Sequence, residues 1–183
     1  MSRPLVVVLG GTRSGKSRFG RERATALSRG GPVTYVGTAL PGDDELDERI
    51  ALHRRDRPAT WDTVEPGPDV PAAIAAIEPA ATILLDGLTL WVSQLVDAPG
   101  VTAALVDGPI ADLRAALDAH EGPAIVVSDE VGLGIVPLDP VSRRFRDVLG
   151  IAHQQLVDDA DEAWFLVAGR PIRLEPPEPE SVR

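Results

Sequence analysis

The chain has 183 residues, 18 of them Lys or Arg against 28 Asp or Glu for a formal charge of −10, and 44% are apolar. That length suits one domain with a sizeable core, and so acidic a chain lacks the clustered positive potential that draws nucleic acid or anionic membranes, so any anion must be met locally. Without cysteine there are no disulfides, thiolate metal sites or thiol nucleophiles, which fits a cytoplasmic compartment.

From the amino end, Leu5 to Leu9 is an apolar run of five residues, too short for a signal peptide, and no later run approaches the ~20 residues of a bilayer crossing, so no membrane span is expected. It and four further runs, Val33 to Val36, Thr82 to Leu85, Ala124 to Val127 and Trp164 to Val167, lack polar alternation, as strands covered on both faces do. The stretches between them are long enough for crossover helices. The expected fold is therefore α/β: a doubly wound, mostly parallel sheet flanked by helices. One helix is predicted over Arg18 to Ser28. A second starts near Asp43 and Asp44, whose carboxylates complement its N-terminus, and stops before Pro58. A third follows Pro140, with Phe145, Leu149, Ala152 and Leu156 on one stripe. His120, beside Glu121 and Gly122, and His153, off that stripe, are both expected to face solvent. Glu175 to Glu180 carries Pro176, Pro177 and Pro179 and cannot form a packed helix. The chain thus divides into a domain at 1–174 and a flexible acidic, Pro-rich tail at 175–183.

Directly after the first run stands Gly10-Gly11-Thr12-Arg13-Ser14-Gly15-Lys16-Ser17, which satisfies G-x-x-x-x-G-K-[ST] between a strand and a helix. The glycines permit a tight loop whose N–H groups converge on phosphate, and the helix adds its positive end. Lys16 should reach the β- and γ-phosphates, and the Ser17 hydroxyl can ligate Mg²⁺. This places the chain among single-domain P-loop NTPase-type folds. Asp86 closes the run Thr82 to Leu85, where an acidic residue can help hold Mg²⁺; as a turn former before Gly87 it would have a purely structural role.

His53 stands apart from the other histidines. On a helix it shares a face with Leu46 and Ile50, and Arg49 and Arg57 fall four residues to either side. A neutral imidazole can attack phosphorus, and arginines would stabilise charge on the transferred phosphoryl oxygens. Such a face is also an ordinary surface feature. The loop therefore serves three readings equally: a phosphoryl or nucleotidyl transferase using His53, a small-molecule kinase in which His53 is idle, and a nucleotide-dependent switch.

Several segments together are more specific: Gly10 to Arg18, Tyr35-Val-Gly-Thr-Ala39, Arg49-Ile-Ala-Leu-His53-Arg54-Arg55 with Arg57-Pro58 and Trp61, Leu84-Leu-Asp-Gly-Leu-Thr-Leu-Trp91, Val127-Ser-Asp-Glu-Val-Gly-Leu-Gly-Ile-Val-Pro137 and Arg143-Arg-Phe-Arg-Asp147. In this order they resemble the bifunctional adenosylcobinamide kinase and adenosylcobinamide-phosphate guanylyltransferase family. The resemblance implies phosphorylation of adenosylcobinamide by ATP or GTP. GMP transfer from GTP to adenosylcobinamide phosphate then follows through a covalent GMP-histidine at the position of His53, giving adenosylcobinamide-GDP for cobalamin assembly. It also implies that Gly10 to Ser17, Gly37, Thr38, Ala39, Arg54, Arg55, Asp56 and Arg57 line the nucleotide site, that Glu65 and Asp86 contact nucleotide or metal, and that the chain forms a homo-oligomer, a trimer. Two departures stand out. Some members have adjacent histidines where this chain has Leu52-His53, and the family often has Asn where this chain has Asp129, a carboxylate in place of an amide donor. Trp61 and Trp91 are candidates either to pack against a corrinoid ring or to fill the core as ordinary aromatics.

Overall fold

The computed structural model describes residues 4–39, 57–97 and 103–176. The expected helix from Asp43 to before Pro58, apart from its last residue Arg57 but including His53, Arg54, Arg55 and Asp56, and most of the acidic tail lie outside the described residues. In chain order the described elements are β1 (Leu5–Gly10), α1 (Lys16–Ser28), β2 (Val33–Gly37), β3 (Asp62–Val64), α2 (Val70–Ala75), β4 (Thr82–Asp86), α3 (Leu88–Asp97), α4 (Ala103–Ala119), β5 (Ala124–Asp129), α5 (Pro140–Asp159), β6 (Glu162–Val167) and β7 (Arg170–Leu174). None of the helices is long and apolar enough to cross a membrane among the described residues.

The strands form one seven-stranded sheet in the order β3-β2-β4-β5-β1-β6-β7. Neighbours pair in parallel except β6 with β7. Successive side chains of a strand point to opposite faces, and here both faces are covered. Val7, Leu9, Ile83, Leu85 and Val126 pack under α2 to α5, with Ile74, Trp91, Leu113, Leu149 and Leu156 among their partners. Val6, Val8, Leu84, Ile125 and Val127 share the other face with Ala24, Phe19 and Leu27 of α1. Each large apolar side chain among them contributes roughly 1.5–3 kcal/mol on burial, whichever way it points, so the middles of β1, β4 and β5 are apolar on both faces and the polar residues Asp86, Ser128 and Asp129 fall at strand ends. This is the physical origin of the unbroken apolar runs.

The five expected strands are all present, and α5 buries Leu149, Ala152 and Leu156 as its stripe implies. Two strands escape the apolar-run criterion. β3 is three residues long and only partly covered. β7 is exposed throughout and includes Pro171, which a sheet tolerates at its edge; it returns through Ala168 and Gly169, both with positive φ, the backbone of a two-residue hairpin turn. The expectation that His120 and His153 face solvent is wrong: they are 6% and 5% exposed. His120 Nε2 lies 2.7 Å from the carbonyl oxygen of Ala81, and His153 Nε2 lies 2.7 Å from Ser128 Oγ. A polar partner beneath the helix makes a histidine beside an apolar stripe part of the buried face.

Candidate functional site

The six parallel strands end on one side of the sheet, and there Gly10, Gly37, Asp86 and Asp129 come together. Gly10 is in register with Asp129 on β5 and Leu166 on β6. It must be glycine, because a Cβ there would lie 2.8 Å from the Leu166 carbonyl oxygen and 2.7 Å from Ser14 Oγ. The chain then turns through Arg13 (φ 57°) and Gly15 (φ 95°), left-handed backbone that a glycine adopts without strain. Phe19 N donates to Gly15 O at 3.0 Å and Gly169 N to Ser14 O at 2.8 Å, tying the loop to α1 and to the β6–β7 turn. Thr12 and Arg13 are exposed and Ser14 is buried.

The first turn of α1 presents Lys16 and Ser17. Ser17 Oγ donates to Asp86 Oδ1 at 3.2 Å, and the Tyr35 hydroxyl donates to Asp86 Oδ2 at 3.2 Å. The Arg57 guanidinium carbon sits 3.5 Å from the centre of the Tyr35 ring, within cation–π range, and the same guanidinium donates to Thr63 Oγ1 at 3.1 Å. Burial, and then the negative charge of Asp86, push the Tyr35 phenol far above its ordinary pKa, so it remains a protonated donor. Asp86 itself is 9% exposed. Its carboxylate and the Ser17 hydroxyl form a pair of hard oxygen donors of the kind Mg²⁺ takes when phosphates and waters supply the rest.

Thr38 is buried and gives its hydroxyl to Gly87 O at 2.6 Å, while Gln94 Nε2 donates to Thr38 O at 2.8 Å. The segment Gly37, Thr38, Ala39 is thereby fixed against the turn after Asp86. Glu65, exposed just beyond β3, approaches this segment, its Cγ 3.9 Å from where a Cβ on Gly37 would stand. Trp91 is fully buried, its indole N–H donating to Pro68 O at 2.7 Å; it fills the core. Trp61 is half-buried against the α1 face.

Sequence reasoning assigned no role to several residues of this edge. Asp129 forms an ion pair with Lys16. The backbone N–H of Asp129 donates to Thr89 Oγ1 at 2.6 Å, Thr89 Oγ1 is 3.0 Å from Ser128 Oγ, and His153 completes the row behind Ser128. Glu130 Oε2 lies 3.4 Å from His153 Nδ1, and Glu130 also accepts from Gly132 N. Burial pushes the His153 imidazole below its ordinary pKa, against the opposing pull of Glu130 and Asp129. A related signal to the one that singles out Asp86 is present at Asp129, an acidic residue that ends β5 one position beyond Ser128 and the run Ala124 to Val127.

A family model described as cobinamide kinase / cobinamide phosphate guanyltransferase matches residues 6–174. The chain is 42% identical over 176 residues to the bifunctional adenosylcobalamin biosynthesis protein CobP of Pseudomonas aeruginosa, covering 92% of this chain and 96% of that one. It is 35% identical over 184 residues to the bifunctional adenosylcobalamin biosynthesis protein CobU of Salmonella typhimurium, covering 93% of this chain and 99% of that one. Among solved structures, an ATPase domain superposes with a TM-score of 0.52 at 16% identity, over 89% of this chain and 69% of that one. The flagellar accessory protein FlaH of Methanocaldococcus jannaschii does so with a TM-score of 0.51 at 12% identity, over 92% and 74%. These two likenesses are of fold.

Proposed function

Because the chain belongs to the cobinamide kinase / cobinamide phosphate guanyltransferase family, we propose that it phosphorylates adenosylcobinamide and then transfers GMP to the product. In the first reaction the aminopropanol hydroxyl oxygen bonds to the γ-phosphorus of ATP or GTP as the bond to the bridging oxygen breaks; the nucleoside diphosphate leaves and the hydroxyl proton is released to solvent. In the second, a nitrogen of His53 bonds to the α-phosphorus of GTP while the bond to the bridging oxygen breaks and pyrophosphate departs. A phosphate oxygen of adenosylcobinamide phosphate then displaces the histidine, giving adenosylcobinamide-GDP.

The observation that carries this reading is the convergence of Lys16, Ser17 and Asp86 beside the loop of residues 10–17, at the carboxyl edge of the sheet. The loop N–H groups and Lys16 bind and orient the triphosphate, which is most of what phosphoryl transfer asks of a protein. Ser17 and Asp86 would hold Mg²⁺, which neutralises phosphate charge when bound. Arg57 and the neighbouring Arg54 and Arg55, with Asp56, Gly37 to Ala39 and Glu65, complete the nucleotide site. We assign residues 1–174 to this catalytic domain, 175–183 to a tail outside it, the working form to a homo-oligomer, a trimer, and the reaction to the cytoplasm, where the triphosphates are made.

Mass spectrometry after incubation with GTP and Mg²⁺ tests the reading. Wild type should gain one covalent GMP, stable to base and lost in acid, and His53→Ala should gain none. A wild-type chain that phosphorylates cobinamide without acquiring GMP would be a kinase alone, and one that binds GTP without either reaction would be a switch.

A further inference from the structure

We propose that Asp129 sets the affinity of this site for nucleotide by competing with the triphosphate for Lys16. The proposal rests on reading residues 10–17 as the phosphate loop. Asp129 is a positioning residue here: it acts on the phosphates through the lysine.

The carboxylate is delivered to the lysine by backbone that has little freedom to move. Asp129 ends β5 in register with Gly10, its own N–H is held by Thr89, and the N–H of the next residue donates to Gly10 O at 3.0 Å. The loop glycine and the competing carboxylate are thus locked to adjacent strands. On the other side Lys16 bends over its own loop, Nζ lying 3.3 Å from Gly11 O. The side chains are 12% and 31% exposed, so their attraction is screened less than that of the usual surface pair.

An ammonium group carries one charge and three donors. A phosphate oxygen that takes Lys16 must either draw it from Asp129 or share it, and sharing brings two anions to one cation. Both outcomes cost binding free energy. Asp86, on the other side of the loop, accepts from the hydroxyls of Ser17 and Tyr35, whereas Asp129 is paired with the lysine itself. An amide at position 129 would keep the size and one acceptor oxygen while removing the charge.

The test is calorimetric titration of the full chain with a non-hydrolysable GTP analogue in EDTA, comparing wild type with Asp129→Asn and Asp129→Ala. Both variants should bind about tenfold more tightly, the scale of one charge-assisted hydrogen bond. In the kinase assay KM for the nucleotide should fall by a similar factor, well beyond any change in kcat, a split that a merely structural residue would not produce. Unchanged or weaker binding by either variant overturns the proposal and leaves the loop reading standing. Failure of all three chains to bind the analogue, with or without Mg²⁺, overturns both.

Discussion

The phenol of Tyr35 and the carboxylate of Asp86 meet at 3.2 Å on neighbouring strands, and the cation of Arg57 covers the face of the same ring. The phenol occupies one carboxylate oxygen and leaves the other to Ser17, which fixes the orientation of the group proposed to hold Mg²⁺. Tyr35→Phe should therefore raise the Mg²⁺ concentration needed for half-maximal kinase activity about fivefold, the scale of one neutral hydrogen bond of ~1 kcal/mol. A magnesium titration of kinase rate in both proteins checks this; superimposable curves would show that the phenol does not orient Asp86.

Lys16→Ala should lower both partial reactions about a hundredfold or more, because one cation orients the triphosphate for attack at either phosphorus. The readouts are cobinamide phosphorylation and covalent GMP loading. Loss of one with the other at wild-type rate would mean that the two reactions use separate grips on the nucleotide.

His153 makes stability depend on pH. Burial keeps its folded-state pKa below that of the unfolded chain, near 6.5, so below that value the unfolded chain binds more protons. The stabilisation is present in full above pH ~6.5 and is lost as pH falls through the range below it. The melting temperature of wild type should drop between pH 7.5 and 5.5 more steeply than that of His153→Gln, whose amide can still meet Ser128. Parallel slopes in the two proteins would disprove it.

Trp91 serves the core. Trp91→Phe leaves the Pro68 carbonyl without its donor and should cost about 1–3 kcal/mol of stability, seen as a lower urea midpoint. KM for cobinamide should stay at the wild-type value. A raised KM with an unchanged midpoint would return this indole to the list of corrinoid contacts.

What could be read along the chain was whatever is local. The runs Leu5 to Leu9 and Thr82 to Leu85 announce strands buried on both faces, since a sheet layered between helices favours apolar side chains on both of its sides. The phosphate loop is legible for the same reason: its N–H groups, Lys16 and Ser17 belong to consecutive residues, and Asp86 announces itself by closing a strand. β7 was hidden because an exposed edge strand containing Pro171 has no apolar signature. His153 was hidden because its burial is decided by Ser128, a residue on another element.

The chain's own order of residues therefore settles the family, the layered architecture and the glycine-rich loop motif between β1 and α1, all of which depend on neighbours in sequence or on a short period. Which side chains meet at the carboxyl edge was decided by the sheet. Lys16 faces Asp129 across 113 positions and Ser17 faces Asp86 across 69, because β5 was threaded beside β1 and β4 beside β5. Strand order and register arise from how the helices pack over both faces at once, a global balance of burial that no local pattern encodes.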